Sequence, residues 1–264
     1  MALITEEHEI TDEKQVIRTF SLNSITLAFT KENKELETHF LVDFYNKSLD
    51  HVRLAIFAAI ILYALYGIID AALIPEFEHK FLTLRYLLVI PMLLSVLAFS
   101  FAKIYKRKIQ FVNAMVVLIS CLGVTGMIWL APENLANYYF AGLILILVMN
   151  YGFLRLRFIW AVAAGILSST AYIIAAFFII QMPFLLAVVN SFFLIAINLI
   201  GFFIARYLEY YARRDYFTNQ LLKIERVKLR TLNARLEAKI KDKANQLGNL
   251  QKEILDELEN KGKV

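Results

Sequence analysis

Residues 184–214 read FLLAVVNSFFLIAINLIGFFIARYLEYYARR, and this stretch decides the class of the chain. From Phe184 to Ala205 there is no charge, and crossing roughly 30 Å of hydrocarbon takes about 20 apolar residues in a helix. Arg206, Arg213 and Arg214 follow, and beyond them no proline and, until Gly248, no glycine interrupts a run of good helix formers. The pattern predicts a transmembrane helix that leaves the membrane without stopping.

Working back from it, five more apolar stretches lie near 53–74, 84–102, 109–131, 138–154 and 158–180, the fourth the shortest. The chain has 264 residues, 59% of them hydrophobic, 19% charged, with a mean hydropathy of +0.57, more apolar than one soluble core can hide. The expected fold is all-α, a six-helix bundle in the membrane whose last span continues into a long coiled-coil helix. Its parts are a polar segment over 1–52 with an amphipathic juxtamembrane helix, the spans over 53–205 and a charged helix over 206–264.

Lys and Arg near short loops resist translocation. Lys103, Lys106, Arg107 and Lys108 follow span two, Arg155 and Arg157 follow span four, and Arg206, Arg213 and Arg214 follow span six. The other connections hold Lys80 against Glu76, Glu78 and Glu133. Both termini are therefore expected in the cytoplasm, in a bacterial inner membrane. The net charge of +5 is explained by this asymmetry, and the cations do not form the groove-sized basic patch that nucleic acid requires.

In the last segment Leu222, Leu229, Leu232, Leu236, Ile240, Leu247, Leu250, Ile254 and Leu258 recur at threes, fours and sevens, the seam of a coiled coil. The step from Leu236 to Ile240 inserts an extra four, a stutter that locally unwinds a supercoil. A parallel homodimer is the economical way to bury such a stripe. Before the membrane, Leu36, Phe40, Leu41, Phe44 and Leu49 share one side of a helix, with Lys34, Glu35, Glu37, Asp43 and Lys47 on the others.

Chemistry is sparse. Ionisable groups at mid-membrane depth mark pumps and ion pathways, but Asp70 and Arg85 fall near the outer ends of spans one and two. They can meet across the short loop, as a structural ion pair or as part of an outward-facing ligand pocket with Glu133, Tyr138 and Tyr139. Asn113, Asn150, Asn190 and Asn198 lie within spans, where interhelical hydrogen bonding is their ordinary use. Gly67 with Ala71 and Ala161 with Gly165 read as close helix contacts, and Trp129, Tyr138, Tyr139 and Trp160 ordinarily as border anchors. Cys121 stands alone in an apolar run, and His8, His39, His51 and His79 are too scattered for haem or a metal site, so no cofactor and no metal is expected. No phosphate loop, zinc motif, nucleophile elbow or kinase signature occurs, and neither polar end can bury a catalytic core, so no enzyme activity is expected of this chain.

Several stretches together resemble a known module. Phe29, Leu36-Glu37 and Phe40 precede a first span ending Tyr66-Gly-Ile-Ile-Asp70, and Leu84-Arg85-Tyr86 opens the second. Tyr138-Tyr-Phe-Ala-Gly142, Phe153-Leu-Arg-Leu-Arg-Phe158, and Asn198 before Tyr207-Leu-Glu-Tyr-Tyr-Ala-Arg-Arg214 complete the set. Over residues 25–225 the arrangement resembles the six-span N-terminal membrane module of bacterial class III adenylate/guanylate cyclases, relatives of which precede histidine kinases and diguanylate cyclases. The resemblance implies a dimeric receptor whose exit helix passes a change of rotation, splay or register to an output. No cyclase, phosphoacceptor-histidine or diguanylate cyclase segment follows within these residues, which fits a truncated receptor or a stand-alone module. The expected partners are the lipid bilayer, a second copy, a cytoplasmic output protein and a small hydrophobic or periplasmic ligand. A small transporter or channel and a passive scaffold presenting a coiled coil are the alternatives.

Overall fold

The computed structural model describes residues 20–30, 34–73 and 78–261, with the side chains at 71–73, 78, 133–135 and 255–261 left aside. Those residues are almost entirely helical, with no β-strand among them. The elements are α1 (Lys34–Leu73), α2 (Glu78–Leu82), a π-helical stretch (Thr83–Val89), α3 (Ile90–Phe99), α4 (Tyr105–Leu130), α5 (Glu133–Gly152), α6 (Phe158–Ile174) with a second π-helical stretch (Ala175–Ile179), and α7 (Phe184–Lys261).

Among the described residues, five helical runs are long and apolar enough to cross a membrane: Lys34–Asp70, His79–Phe99, Tyr105–Leu130, Phe158–Ile179 and Phe184–Ile254. Ala136–Gly152 is a shorter apolar helix, matching the short fourth stretch of the sequence. Dozens of large apolar side chains stay exposed on these helices, for example Leu87, Phe178 and Leu185. Surfaces of that kind are at home in lipid, which is itself as apolar as leucine.

The described residues divide into two compact units, one within 21–213 and the other made of residue 20 with 214–261. In the larger unit one apolar core runs through every helix, from Val52 and Ile56 on α1 through Met127 and Ile128 on α4 and Leu143 and Leu147 on α5 to Leu194 on α7. The short segment 21–30 folds as a plug at its edge. Asn23 accepts backbone N–H bonds from Ile25 and Thr26 at 2.9 and 3.0 Å, a turn that asparagine closes on its own backbone. Leu22 and Phe29 then pair antiparallel, and Leu27, at φ 56°, is driven into the core. In the smaller unit Phe20 packs on Phe217, ring centroids 5.3 Å apart.

Two features differ from the sequence reading. The juxtamembrane helix and first span are one helix, because nothing between Leu49 and Arg53 breaks it. The second span is not uniformly α-helical. Pro91 has no N–H, and in a regular α-helix its ring collides with the carbonyl of Leu87. The wider π turn that ends where Ile90 N–H reaches back to Arg85 O lies just before it and accommodates the misfit.

Candidate functional site

Two buried ionic clusters sit at opposite ends of the larger unit. At the first, α1 supplies Asp70 and the π-helical stretch supplies Arg85, both almost fully buried. Arg85 Nη2 and Nε lie 2.7 and 2.8 Å from Asp70 Oδ2, Nη1 donates to the Tyr63 carbonyl at 2.8 Å, and the Tyr139 hydroxyl donates to Asp70 Oδ1 at 2.7 Å. The guanidinium also lies over the Tyr63 and Tyr66 rings, 4.8 and 5.3 Å from their centroids, which adds cation–π attraction. Both carboxylate oxygens are thus occupied, the condition under which a buried pair survives its desolvation.

Beside this pair is a cavity of about 70 Å³ bounded by Tyr63, Tyr66, Arg85, Met127 and Tyr139, with half-exposed Leu62 and Leu145 among its other walls. The Tyr63 hydroxyl is buried without a hydrogen-bond partner among the described residues. Tyr138, expected in the same pocket, points elsewhere and is 59% exposed, and only its carbonyl takes part, accepting from Tyr66 at 3.3 Å. On a helix, neighbours in sequence face about 100° apart, so Tyr138 and Tyr139 cannot line one site. The Glu133 side chain lies outside the described residues.

The second cluster joins four stretches far apart in sequence. Arg213 on α7, fully buried, reaches both oxygens of Glu37 on α1, at 2.5 and 3.0 Å, and holds Glu209 Oε1 one turn back at 2.8 Å. Glu209 Oε2 accepts the Phe158 N–H at 2.6 Å, so a carboxylate from α7 caps the positive start of α6. Arg157 stands 3.5 Å from Glu209 and 3.8 Å from Glu37, and its own N–H is taken by Gln110 Oε1 on α4 at 2.8 Å. From the plug, the Phe29 N–H donates to Glu37 at 3.0 Å, and the Phe29 and Phe40 rings flank the Arg213 guanidinium.

Two carboxylates and two guanidiniums cancel, and the electrostatics follow from that balance. Burial disfavours the Glu37 carboxylate, but the hydrogen bonds from Arg213 and Phe29 and the nearby charges of Arg213 and Arg157 outweigh it, holding the group below its ordinary 4.5. Burial likewise works against charge on Arg213, and Glu37 and Glu209 outweigh it and hold the guanidinium above its ordinary range. Sequence reasoning placed Glu37 on a polar helix side and read Arg157 and Arg213 as topological charges. The available signal was Glu209, an acid four residues before Arg213 at the border of an apolar run.

Of the four asparagines, three bridge helices. Asn150 donates to the Ala161 carbonyl at 2.9 Å, Asn190 to the Tyr172 hydroxyl at 2.9 Å, and Asn198 to Ser169 at 2.7 Å while accepting from Tyr151 at 2.6 Å. Asn113 differs from expectation: its oxygen accepts from Tyr105 on its own helix at 2.6 Å, because two turns along α4 bring the long tyrosine over it. On the far part of α7, Leu222, Leu229, Leu232, Leu236, Ile240, Leu247, Leu250 and Ile254 are each about half or more exposed, while the Leu258 side chain lies outside the described residues. No group of three or more His, Cys, Asp or Glu positioned for a metal occurs among the described residues. No protein-family model matches this chain, and no curated protein matches it at a significant level, so its residues and their geometry carry the functional reading.

Proposed function

We propose that this chain is the dimeric membrane input module of a bacterial signalling protein. It sits in the inner membrane with the Arg213 end of the bundle facing the cytoplasm, where the cations of the loops collect. The single observation that carries this reading is α7: one unbroken helix, Phe184–Lys261, apolar at its start and bearing an exposed leucine seam after Arg213. A lone helix gains nothing by presenting such a seam to water, whereas a second copy buries it in a parallel coiled coil.

The Glu37–Arg213–Glu209–Arg157 cluster supports coupling. It ties the start of α1, the α5–α6 connection and α7 together, so a change of packing among the other helices is felt by α7. A signal need supply only a few kcal/mol of differential binding between two helix arrangements. The coiled coil then hands that difference to a cyclase- or kinase-type output domain, on this polypeptide or on a partner. The resemblance noted in the sequence agrees with this assignment, since its stretches include Glu37, Asp70, Arg85, Arg157, Glu209 and Arg213.

The test is the mass of the purified protein in detergent or nanodiscs by light scattering, beside a version ending at Arg214 and a Leu232→Lys, Leu236→Lys variant. The expected result is a dimer that weakens with either change. A monomer in all three would overturn the proposal and bring forward a small transporter or a passive anchor.

A further inference from the structure

At the Arg213 end, between α1, α4 and α6, lies a cleft of about 390 Å³ that shares Gln110 with the ionic cluster and opens beside it. Its walls are Tyr45, Arg107, Lys108, Gln110, Phe111 and Trp160, with no carboxylate among them. Three cations, Lys106, Arg107 and Lys108, fall in the first turn of α4 and no acid offsets them there. That is the helix end where positive charge is least welcome, since the macrodipole is positive at an N-terminus. Lys106 is accounted for by Asn46, at 2.9 Å. The side chains of Arg107 and Lys108 have no hydrogen bond or ion pair among the described residues. Gln110, which also lines the cleft, is 7% exposed; its Oε1 is taken by the Arg157 N–H, and its Nε2 has no partner among the described residues. Phe111 and Trp160 meet edge to face, centroids 6.4 Å apart, and both remain partly exposed beside the cations.

Two unpaired cations at a positive helix end call for an anion, and the neighbouring aromatic pair marks where the apolar surface begins. We infer that this cleft binds the phosphate headgroup of an anionic phospholipid, with Arg107 and Lys108 on the phosphate and Phe111 and Trp160 against the start of its acyl chains. Basic pockets between membrane helices on the cytoplasmic side recognise lipid headgroups by this chemistry. The inference rests on the membrane reading above.

The test uses the full chain, by native mass spectrometry from detergent with added phosphatidylglycerol, phosphatidylcholine or glycerol phosphate. Phosphatidylglycerol is expected to be retained in preference to phosphatidylcholine. Arg107→Gln with Lys108→Gln should cost that preference roughly 30-fold, the worth of two cations at an anionic surface. A charge-matched control, Lys103→Gln with Arg155→Asn, removes two exposed cations outside the cleft and should leave it intact. Helical content by circular dichroism shows that each variant folds. Equal retention of both lipids, equal loss in the control, or glycerol phosphate competing as well as the lipid would each overturn the inference. Release of the protein from membranes by carbonate would instead sink the membrane reading itself.

Discussion

Arg85 is held by more than its charge partner, and this sets what a substitution there does. Removing one member of a buried pair leaves the other uncompensated, at a cost of about 3–5 kcal/mol. Asp70→Ala and Arg85→Ala are each expected to show that loss in chemical or thermal unfolding in detergent. The swap Asp70→Arg with Arg85→Asp keeps the charge balance but loses the bonds from Arg85 to the Tyr63 carbonyl and from Tyr139 to Asp70, so it should recover only part of the loss. Full recovery would mean that the pairing is Coulombic alone. Glu37 gives a pH signature. Its folded pKa is lowered, so the stability it contributes is complete above its unfolded value of about 4.5 and is lost as pH falls through the folded value. Acid melts between about pH 5 and pH 3 should therefore be shallower in Glu37→Gln than in the parent. The meeting of Asp70 and Arg85 could be read from a short loop and shared depth. Glu37 and Arg213 lie far apart in sequence, and only tertiary packing brings them together.

At the scale of elements, the close approach of α5, α6 and α7 depends on two glycines around one ring. A Cβ on Gly201 would fall within 2.5 Å of three ring atoms of Tyr151, and one on Gly165 would meet the Tyr151 hydroxyl. Overpacking of this kind costs about 1–3 kcal/mol. Gly201→Ala should therefore lower the melting temperature clearly, and adding Tyr151→Phe should relieve Gly165→Ala more than Gly201→Ala, because only the former collides with the oxygen. Equal rescue would show that the ring itself moves. Small residues at fourth positions pointed to close contacts, and Gly67, against the Tyr86 ring, and Gly165, against Tyr151, make them. Gly201 with Ala205 has the same spacing, which the sequence reading passed over. The π-helical stretch was hidden: Pro91 announces a disturbance in span two, but the sequence does not say whether the helix kinks or widens there.

For the whole molecule, hydrophobic runs were enough to predict an all-helical chain with several apolar helices, because the length that lipid demands is written directly in composition. Association is different in kind, since a seam such as Leu229 to Ile240 states a need for burial without naming what supplies it. If the supplier is a second copy, dimer mass should be insensitive to salt, as apolar contacts are, while lipid retention at Arg107 and Lys108 should fall as salt rises. Light scattering and lipid binding between about 0.05 and 0.5 M salt would separate the two.

The wide turn at Thr83–Val89 also predicts where the gene tolerates a change of length. A one-residue deletion in a regular helix turns everything beyond it by about 100° and misplaces a whole face. A π-helical stretch already holds a surplus residue, so losing Leu87, which is 76% exposed, together with Pro91→Ala lets the helix close up with both flanks in phase. That shortened chain should remain monodisperse and inserted, whereas deleting Leu122 from the middle of α4 should not.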